Sequence, residues 1–242
     1  MKTVLITGAT SGIGLDASIY LSKLGYSIIA IGRDKDKLEK CLSSLTGNQN
    51  KSYIASLENE DEVKALFKEL KEINIKVNAV ICCAGSHAIK PVRVSKLADY
   101  RSAMENNFYS FTNVICNVSK VINKNASIVA VSSAGVVRSA KAVSAYASSK
   151  TALEGFIKSA SLEFANNKIR INAIAPGVVL TKMTEGFIES IGEKAANEME
   201  LSHPLGFGEP RDVSYLLEFL ISDKSRWLTG QTIILDGGFS IN

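Results

Sequence analysis

The sequence predicts an α/β fold, a single-domain doubly wound parallel sheet of about seven strands with helices on both faces. Short apolar runs alternate with longer charged stretches whose apolar residues recur at helical spacing. The runs are nearly continuous in apolar residues, as expected for strands that helices cover on both faces. A chain of 242 residues with 46% hydrophobic content can bury one full core. We therefore expect one domain over residues 1–242.

Seven apolar, mostly β-branched runs predict the strands of this sheet. Strands that alternate with helices need crossover connections, so we expect all seven to be parallel. In chain order, the predicted strands are Thr3–Thr7, Ser27–Ile31, Ser52–Ala55, Ala79–Cys82, Ser127–Ser132, Ile169–Ile174 and Thr232–Leu235.

The stretches between these runs predict helices. Apolar residues at helical spacing follow the first glycine-rich turn, from Ile13 to Leu24. The further predicted helices begin near Asp34, span Glu60–Glu72, run through Asn107 to Val121, and span about Ser144–Ala165.

The stretch Val178–Gly208 has the weakest pattern in the chain. Within residues 181–208, apolar side chains such as Phe187 and Met199 are mixed with charged ones. This mixture predicts an amphipathic lid that closes over a substrate. The alternative is a helix whose apolar face belongs to the core.

Charge and cysteine content narrow the function classes. A net charge of +4 with dispersed lysines indicates a solvated surface, with no nucleic-acid or anionic-membrane partner. The first apolar run is too short for a signal-peptide core or a membrane span, so we expect a cytoplasmic protein. The cysteines have neither metal-ligand nor disulfide spacing. We expect no metal site, a reducing compartment, and small buried side chains at Cys41, Cys82, Cys83 and Cys116.

Unusual residues stand where the predicted strands end. In open parallel sheets, ligands bind beyond the carboxyl ends of the strands, so the site is expected along that edge. The residues at these ends are Gly8, Arg33, Gly85, Ser133 and Pro176.

The glycine-rich turn Thr7–Gly14 lies between the first strand and the first helix. At such a turn, backbone N–H groups and the helix dipole hold a pyrophosphate, and glycine lets the backbone approach the phosphates. An ordinary tight turn is the alternative, but the position before an amphipathic helix favours a cofactor site. The predicted contacts are Gly8, Thr10, Ser11, Gly12, Ile13 and Gly14.

Tyr146 and Lys150 stand four residues apart on a predicted helix, so their side chains share one face. A phenol with a pKa of about 10 is a weak acid–base catalyst near neutrality, and a nearby ammonium lowers that pKa. We expect Lys150 to have this effect on Tyr146. At the end of the fifth strand, Ser133 offers a hydroxyl that orients and polarises a carbonyl, with the adjacent Ser132 as the alternative.

These motifs together resemble the short-chain dehydrogenase/reductase family. The resemblance rests on the Gly-x-x-x-Gly-x-Gly spacing, Ser133, Tyr146-x-x-x-Lys150 and Pro176-Gly177, and it runs the length of the chain to Asp236-Gly237-Gly238. It includes the 3-oxoacyl-acyl-carrier-protein reductase-like branch. It implies a Rossmann fold, nicotinamide-dependent oxidoreduction, and assembly as a homotetramer or homodimer.

The resemblance also implies roles for further residues. Asn107 matches the family asparagine that holds a water in a proton relay behind Lys150, with Asn106 as the alternative. Lys150 is implied to bind the nicotinamide ribose. The further implied cofactor contacts are Ala84, Gly85, Tyr146, Pro176, Gly177, Val179 and Thr181.

Two segments depart from the family pattern. Cys82-Cys83 replaces the usual Asn-Asn, and we interpret the thiols as buried packing because neighbouring strand residues point to opposite faces. Ser56-Leu57 replaces the usual Asp-Val, so the adenine is expected to be held there by Ser56, Leu57 and backbone. We interpret His87 as pocket wall or surface.

The cofactor is predicted from the end of the second strand. An acidic residue there would bind ribose hydroxyls, whereas an arginine attracts a 2′-phosphate. The strand ends Gly32-Arg33, which favours NADP(H) over NAD(H). The alternative is a solvent-exposed arginine that pairs with Asp34 or Asp36. Ser11, in the glycine-rich turn, adds no positive charge that would attract the 2′-phosphate.

The predicted function is NADP(H)-dependent interconversion of a carbonyl and an alcohol on a small organic substrate, with Tyr146 as acid and base. A 3-oxoacyl-acyl-carrier-protein reductase is one candidate. Its acidic carrier would need a basic docking surface, for which Arg138, Lys120, Lys124 and Lys141 are available. The alternative is a catalytically inactive NADP(H)-binding regulator or scaffold.

Overall fold

The computed structural model describes residues 2–87 and 89–242, so Met1 and Ala88 lie outside the described residues. Within these ranges, seven strands form one parallel sheet in the order β3-β2-β1-β4-β5-β6-β7. The strands are β1 (Thr3–Thr7), β2 (Ser27–Gly32), β3 (Lys51–Ile54), β4 (Val77–Cys82), β5 (Ile122–Val131), β6 (Arg170–Pro176) and β7 (Thr232–Leu235). The prediction of a doubly wound parallel sheet is confirmed.

Local capping explains where several helices begin. The Asp34 carboxylate accepts from the Lys37 N–H, and the Asn59 side chain accepts from backbone N–H groups of the helix that follows it. Pro210 occupies a position in the first turn of its helix. The helices are α1 (Gly12–Lys23), α2 (Lys35–Ser43), α3 (Glu60–Glu72), α4 (Leu97–Met104), α5 (Ser110–Val118), α6 (Ser144–Phe164), α7 (Lys182–Ile191), α8 (Glu193–Leu201) and α9 (Pro210–Ile221).

The strands bury alternate side chains in two cores, one on each face of the sheet. In β1, Leu5 packs toward α3, α5 and α6, whereas Val4 and Ile6 pack toward α1, α2 and α9. This alternation follows from the two-residue period of a strand. Helices therefore cover both faces, as the continuous apolar runs predict.

The structure differs from the predicted elements in four places, one of which is the start of β5, five residues before the predicted Ser127. A π-helical turn, Glu105–Tyr109, interrupts the predicted helix through Asn107 and separates α4 from α5. Helix α9 is absent from the predicted elements, although its apolar face is buried against α1. The weakly patterned stretch Val178–Gly208 contains α7 and α8.

The chain reverses its direction of winding between β1 and β4, which are neighbours in the sheet. A crevice opens at such a reversal, beyond the carboxyl ends of the strands. In the described part of the chain, no helix is both long and apolar enough to cross a membrane.

Candidate active site

A cavity of about 810 Å³ lies along the carboxyl edge of the sheet. It extends from Arg33 and Glu58 at one end to Met199 and His203, beside α8, at the other. Every residue predicted for the site lines this cavity except Ser56. The volume falls in the range of cofactor and ligand pockets.

The glycine turn has the shape of a dinucleotide cradle, though two of its glycines are required for a reason other than the predicted one. A Cβ on Gly8 (φ +66°) would lie 2.8 Å from the Ala84 nitrogen, and one on Gly14 would lie 2.3 Å from the Gly8 oxygen. Both glycines therefore allow the turn to pack on itself and on the strand β4 exit. The α1 amino terminus lines the cavity and suits the pyrophosphate of a nicotinamide dinucleotide.

Asn107 and Lys150 converge over Gly85. A Cβ on Gly85 would lie 2.7 Å from Asn107 Oδ1 and 3.4 Å from Lys150 Nζ. The π-helical turn carries Asn107, whose side chain accepts from the Ser86 N–H at 2.9 Å and donates to the Ser149 hydroxyl at 3.0 Å. Asn107 is buried beside Lys150 in this way, whereas the Asn106 amide donates back to Ser102.

Lys150 is a buried cation. Its ammonium donates to the Val131 carbonyl at 2.8 Å, and only 5% of the residue surface is exposed. Burial lowers the pKa of Lys150 to about 8, although nearby groups that include the Glu154 carboxylate act in the opposite direction. The charge of Lys150 is therefore sensitive to pH near the physiological range.

Tyr146 has a pKa that differs from the sequence-based expectation. Burial raises the pKa of Tyr146, and a hydrogen bond with the Ser133 side chain offsets part of that rise. The Lys150 nitrogen lies 5.9 Å from the centre of the phenol ring and donates to Val131 instead. In this structure, desolvation of the phenolate thus outweighs the interaction with Ser133 and raises the pKa of Tyr146.

The two serines at the end of β5 have different partners. Ser133 is half-buried, lines the cavity, and accepts from the Gly135 N–H at 3.1 Å while it contacts Tyr146. Ser132 is 3% exposed and donates to the Glu154 carboxylate. This difference favours Ser133 over Ser132 as the hydroxyl nearest Tyr146.

Arg33 pairs with an acidic residue that is not among the predicted site residues. Its guanidinium lies 3.4 Å from the Glu58 carboxylate, while Asp34 caps α2 and pairs with Lys37. The Ser56 hydroxyl donates to Glu58 at 2.7 Å and is not among the cavity-lining groups. Ser56 therefore reaches the adenosine end of the cavity through Glu58.

The vicinal cysteines and His87 agree with their packing interpretations, whereas the prediction of a buried side chain at Cys116 is wrong, because Cys116 lies on the exposed side of α5. Cys82 packs in one core and Cys83 against the other, and burial raises the pKa of Cys82 to about 12. The His87 ring lies edge-on to Tyr146, with ring centres 4.6 Å apart, and contacts Phe187 of α7. Desolvation, followed by repulsion from Lys150, lowers the pKa of His87. His87 is therefore a neutral part of the pocket wall.

His203 joins the end of α8 to the loop after β6. Its Nε2 accepts from the Val178 N–H at 3.2 Å, its Nδ1 lies 2.9 Å from the Met199 carbonyl, and its ring stacks on Phe239. Since Nε2 accepts, the proton is assigned to Nδ1, and the ring is neutral. This contact closes one end of the cavity.

Glu58, Glu154 and His203 are site residues that the sequence interpretation lacks. Glu154 follows Lys150 by one helical turn, so helical spacing could have identified it. Glu58 follows the predicted Ser56 by two residues, at a strand exit. His203 lies in a stretch without periodic pattern, so no local signal points to it.

Comparison with known proteins agrees with this geometry. A family model described as enoyl-(acyl carrier protein) reductase matches residues 8–240. The 3-oxoacyl-(acyl-carrier-protein) reductase of Thermotoga maritima is 32% identical over 245 residues, which cover 99% of this chain and 98% of that protein. Carbonyl reductase family member 4 of Danio rerio is 29% identical, over 99% of this chain and 98% of its own length.

Comparison with solved structures also finds dehydrogenases and reductases of the same fold. A short-chain type dehydrogenase/reductase from Mycobacterium ulcerans superposes with a TM-score of 0.91 at 26% identity, covering 100% of this chain and 90% of its own. A 4-hydroxyisoleucine dehydrogenase complexed with NADH superposes with a TM-score of 0.90 at 28% identity, with both chains fully covered. The chain therefore belongs to the short-chain dehydrogenase/reductase family and is an oxidoreductase that uses a nicotinamide cofactor.

Proposed function

We propose that the chain is an NADP(H)-dependent oxidoreductase that interconverts a carbonyl and an alcohol on a small organic substrate. The observation that carries the proposal is the meeting of Tyr146, Ser133 and Lys150 in one cavity, beside the glycine turn. A phenol, a hydroxyl and a buried ammonium at one point are the groups that carbonyl reduction needs from a protein.

Tyr146 is the proposed acid in reduction and the proposed base in oxidation. When bound, NADPH supplies the hydride to the carbonyl carbon, and Tyr146 gives its phenol proton to the oxygen. The Ser133 hydroxyl, whose interaction with Tyr146 lowers the pKa of the phenol, is proposed to orient the same oxygen. The product alcohol thus gains one hydride and one proton.

Lys150 and Asn107 are the proposed support for this proton transfer. After Tyr146 gives up its proton, the ammonium of Lys150 stabilises the phenolate, since opposite charges attract strongly in a buried site. The Asn107 side chain, buried over Gly85 beside Lys150, is proposed to hold the relay water behind the lysine, as the family resemblance implies. Protons then return to Tyr146 from solvent.

The cofactor contacts proposed for NADP(H) divide between two ends of the cavity. Arg33 is the proposed partner of the 2′-phosphate, and Leu57 with Ser56 and Glu58 borders the adenosine end. The glycine turn is the proposed pyrophosphate site. The proposed contacts near the nicotinamide are Ala84, Gly85, Tyr146, Lys150, Pro176, Gly177, Val179 and Thr181.

The substrate is proposed to enter beneath a lid over residues 181–208 of one 1–242 domain. Phe187 and Met199 line the cavity there, which suits a substrate with apolar surface. A 3-oxoacyl group on a carrier protein is one candidate, supported by the relatives in Thermotoga maritima and other bacteria. We further propose a cytoplasmic homotetramer or homodimer, as the family resemblance implies.

The test of this function is the Tyr146→Phe variant. We expect a loss of carbonyl reduction of about a hundred- to ten-thousandfold, because the general acid is removed. NADPH binding, followed by fluorescence titration, should stay within about twofold, since only one oxygen is lost. The assay follows NADPH oxidation against a panel of ketones that includes a 3-oxoacyl thioester.

The matched control is Tyr109→Phe, because Tyr109 is 49% exposed and is not among the residues that line the cavity. This variant should keep wild-type turnover. Retained activity in Tyr146→Phe would rule out the proposed acid. Tight NADPH binding without turnover on any ketone would instead support the regulator or scaffold alternative.

A further inference from the structure

Glu58 places a carboxylate at the end of the cavity that the 2′-phosphate of NADP(H) would occupy. Glu58 and Arg33 both line the cavity, as do their chain neighbours Leu57 and Gly32. One Glu58 oxygen lies 3.4 Å from the Arg33 guanidinium. The cation that favours NADP(H) is therefore already paired with an anion of the chain itself.

The carboxylate is held more firmly than the guanidinium. The second Glu58 oxygen accepts from the Ser56 hydroxyl at 2.7 Å, and the Ser56 N–H donates to Glu62 at 2.8 Å. The Glu58 side chain is 23% exposed, whereas that of Arg33 is 70% exposed. An incoming phosphate can draw Arg33 toward itself, but it leaves Glu58 in place.

The two cofactors meet this pair differently. A 2′-phosphate carries close to two negative charges near neutral pH, so it competes with Glu58 for Arg33 and is repelled by the carboxylate. The 2′-hydroxyl of NAD(H) is neutral and donates a hydrogen bond, which a carboxylate at this end of the site accepts. The same carboxylate therefore opposes one cofactor and tolerates the other.

We propose that Glu58 is a specificity-determining residue that counteracts Arg33 and narrows the preference for NADP(H) over NAD(H). The inference rests on the proposed function, because it takes Arg33 as the partner of the 2′-phosphate. Glu58, which accepts from the Ser56 hydroxyl, thus adds a second determinant of cofactor preference after the third strand to Arg33 at the end of the second strand. Glu58 acts on the cofactor, and not on the carbonyl.

The experiment compares dissociation constants of NADPH and NADH for wild-type protein and Glu58→Gln. Glutamine keeps the size of the side chain and can still accept from Ser56. We expect the NADPH-over-NADH preference to rise about tenfold at low ionic strength, which is the size of one screened charge interaction a few ångströms away. Because the effect is electrostatic, it should shrink in 0.5 M salt.

Glu60→Gln is the matched control, since it removes the same charge two residues later, at the first residue of α3, where Glu60 pairs with Lys64. Its cofactor preference should equal that of the wild type. An equal preference in Glu58→Gln and Glu60→Gln, or a change in Glu58→Gln that salt does not reduce, would overturn the inference.

Arg33→Ala separates this inference from the proposed function. If Arg33→Ala weakens NADPH far more than NADH while Glu58→Gln changes neither, the cofactor assignment stands and the role of Glu58 is wrong. If Arg33→Ala weakens both cofactors equally, the NADP(H) assignment itself is wrong. Binding is read by nucleotide fluorescence, so neither result depends on the identity of the substrate.

Discussion

At the scale of single residues, burial changes the chemistry of Lys150 more than any neighbour does. Its ammonium sits under β5 with one backbone partner, and burial lowers its pKa from 10.5 to about 8. A lysine in an unfolded chain keeps its proton to higher pH. The folded chain therefore binds fewer protons than the unfolded chain between pH 8 and 10.5.

The first prediction concerns Lys150 and stability. Because the unfolded state binds more protons in this window, the free energy of unfolding should rise as pH increases from 8 to 10.5, by up to about 3 kcal/mol. Lys150→Met keeps an unbranched chain and removes the titration. Urea unfolding of both proteins at several pH values isolates the lysine, because all other groups cancel in the difference.

Two parallel curves in that experiment would contradict the lowered pKa. The same titration should appear in catalysis, since the proposed mechanism needs the ammonium. We expect kcat/KM for carbonyl reduction to fall as pH rises through about 8.

At the scale of elements, a polar contact joins α1 to α9. The Arg211 guanidinium donates to both oxygens of Asp16 at 2.9 and 3.0 Å, and the buried Ser214 hydroxyl donates at 2.6 Å. Burial opposes ionisation of Asp16, but these hydrogen bonds outweigh it and lower the pKa of Asp16. Its stabilisation is therefore present above about pH 4 and lost as pH falls through the lower folded value.

The second prediction concerns Asp16→Asn. The free energy of unfolding should fall by about 1–3 kcal/mol near neutral pH, because charge-assisted hydrogen bonds to Arg211 are lost. Chemical denaturation measures the change. Glu60→Gln, at an exposed pair with Lys64, should leave stability unchanged. Equal changes in the free energy of unfolding of the two variants would show that the α1–α9 contact stabilises the fold no more than an exposed ion pair does.

The third prediction concerns His203, which joins α8 to the loop after β6. Removing the ring in His203→Ala leaves the Val178 N–H without this acceptor and removes the stacked ring from Phe239. We expect a severalfold rise in KM for the carbonyl substrate and faster proteolysis within residues 182–201, with unchanged NADPH affinity. His203→Gln retains a donor and an acceptor, and it should recover part of the wild-type KM.

An unchanged KM in His203→Ala would separate this contact from substrate binding. The contact also explains why the helices within residues 178–208 are hard to predict from the sequence. Residues 178–208 contain two short helices that are joined to the rest of the fold through His203 and its stacking on Phe239. Their conformation therefore depends on these tertiary contacts more than on local periodicity.

At the scale of the whole molecule, the parallel sheet brings the carboxyl ends of its seven strands to one edge. Residues as distant in sequence as Gly8 and Thr181 line one cavity as a result. A ligand bound across this edge contacts both halves of the sheet. Binding should therefore stabilise the fold as a unit.

The fourth prediction concerns this coupling. NADPH at a hundredfold excess over its dissociation constant should add about 2.7 kcal/mol and raise the Tm by about 5–10 °C. NADH at the same concentration should raise it less. Differential scanning fluorimetry measures both shifts, and Gly155→Ala, at an open position on α6, is expected to keep them.

Gly14→Ala should lose most of the shift. An added Cβ would lie 2.3 Å from the Gly8 oxygen, so the turn that receives the pyrophosphate cannot close. A full NADPH shift in Gly14→Ala would contradict the assigned cofactor site.

Much of the fold and of the site was predictable from local sequence. Apolar runs and helical spacing mark the strands and most helices within a residue or two, except for β5, which begins five residues earlier than predicted. Tyr146, Lys150 and Ser133 follow from spacing along one helix and from one strand end. Helix α9 was missed, although Pro210 and its apolar face could have marked it.

The sequence by itself determined the sheet, the glycine turn and which side chains are proposed to react, because periodicity and turn chemistry depend on neighbouring residues. Only the tertiary structure decided that Arg33 pairs with Glu58 and that burial lowers the pKa of Lys150. It also decided that the Ser132 hydroxyl donates to Glu154, so that Ser133 is the serine beside Tyr146. Contacts between distant segments and the loss of water around a charge arise only when the chain has packed.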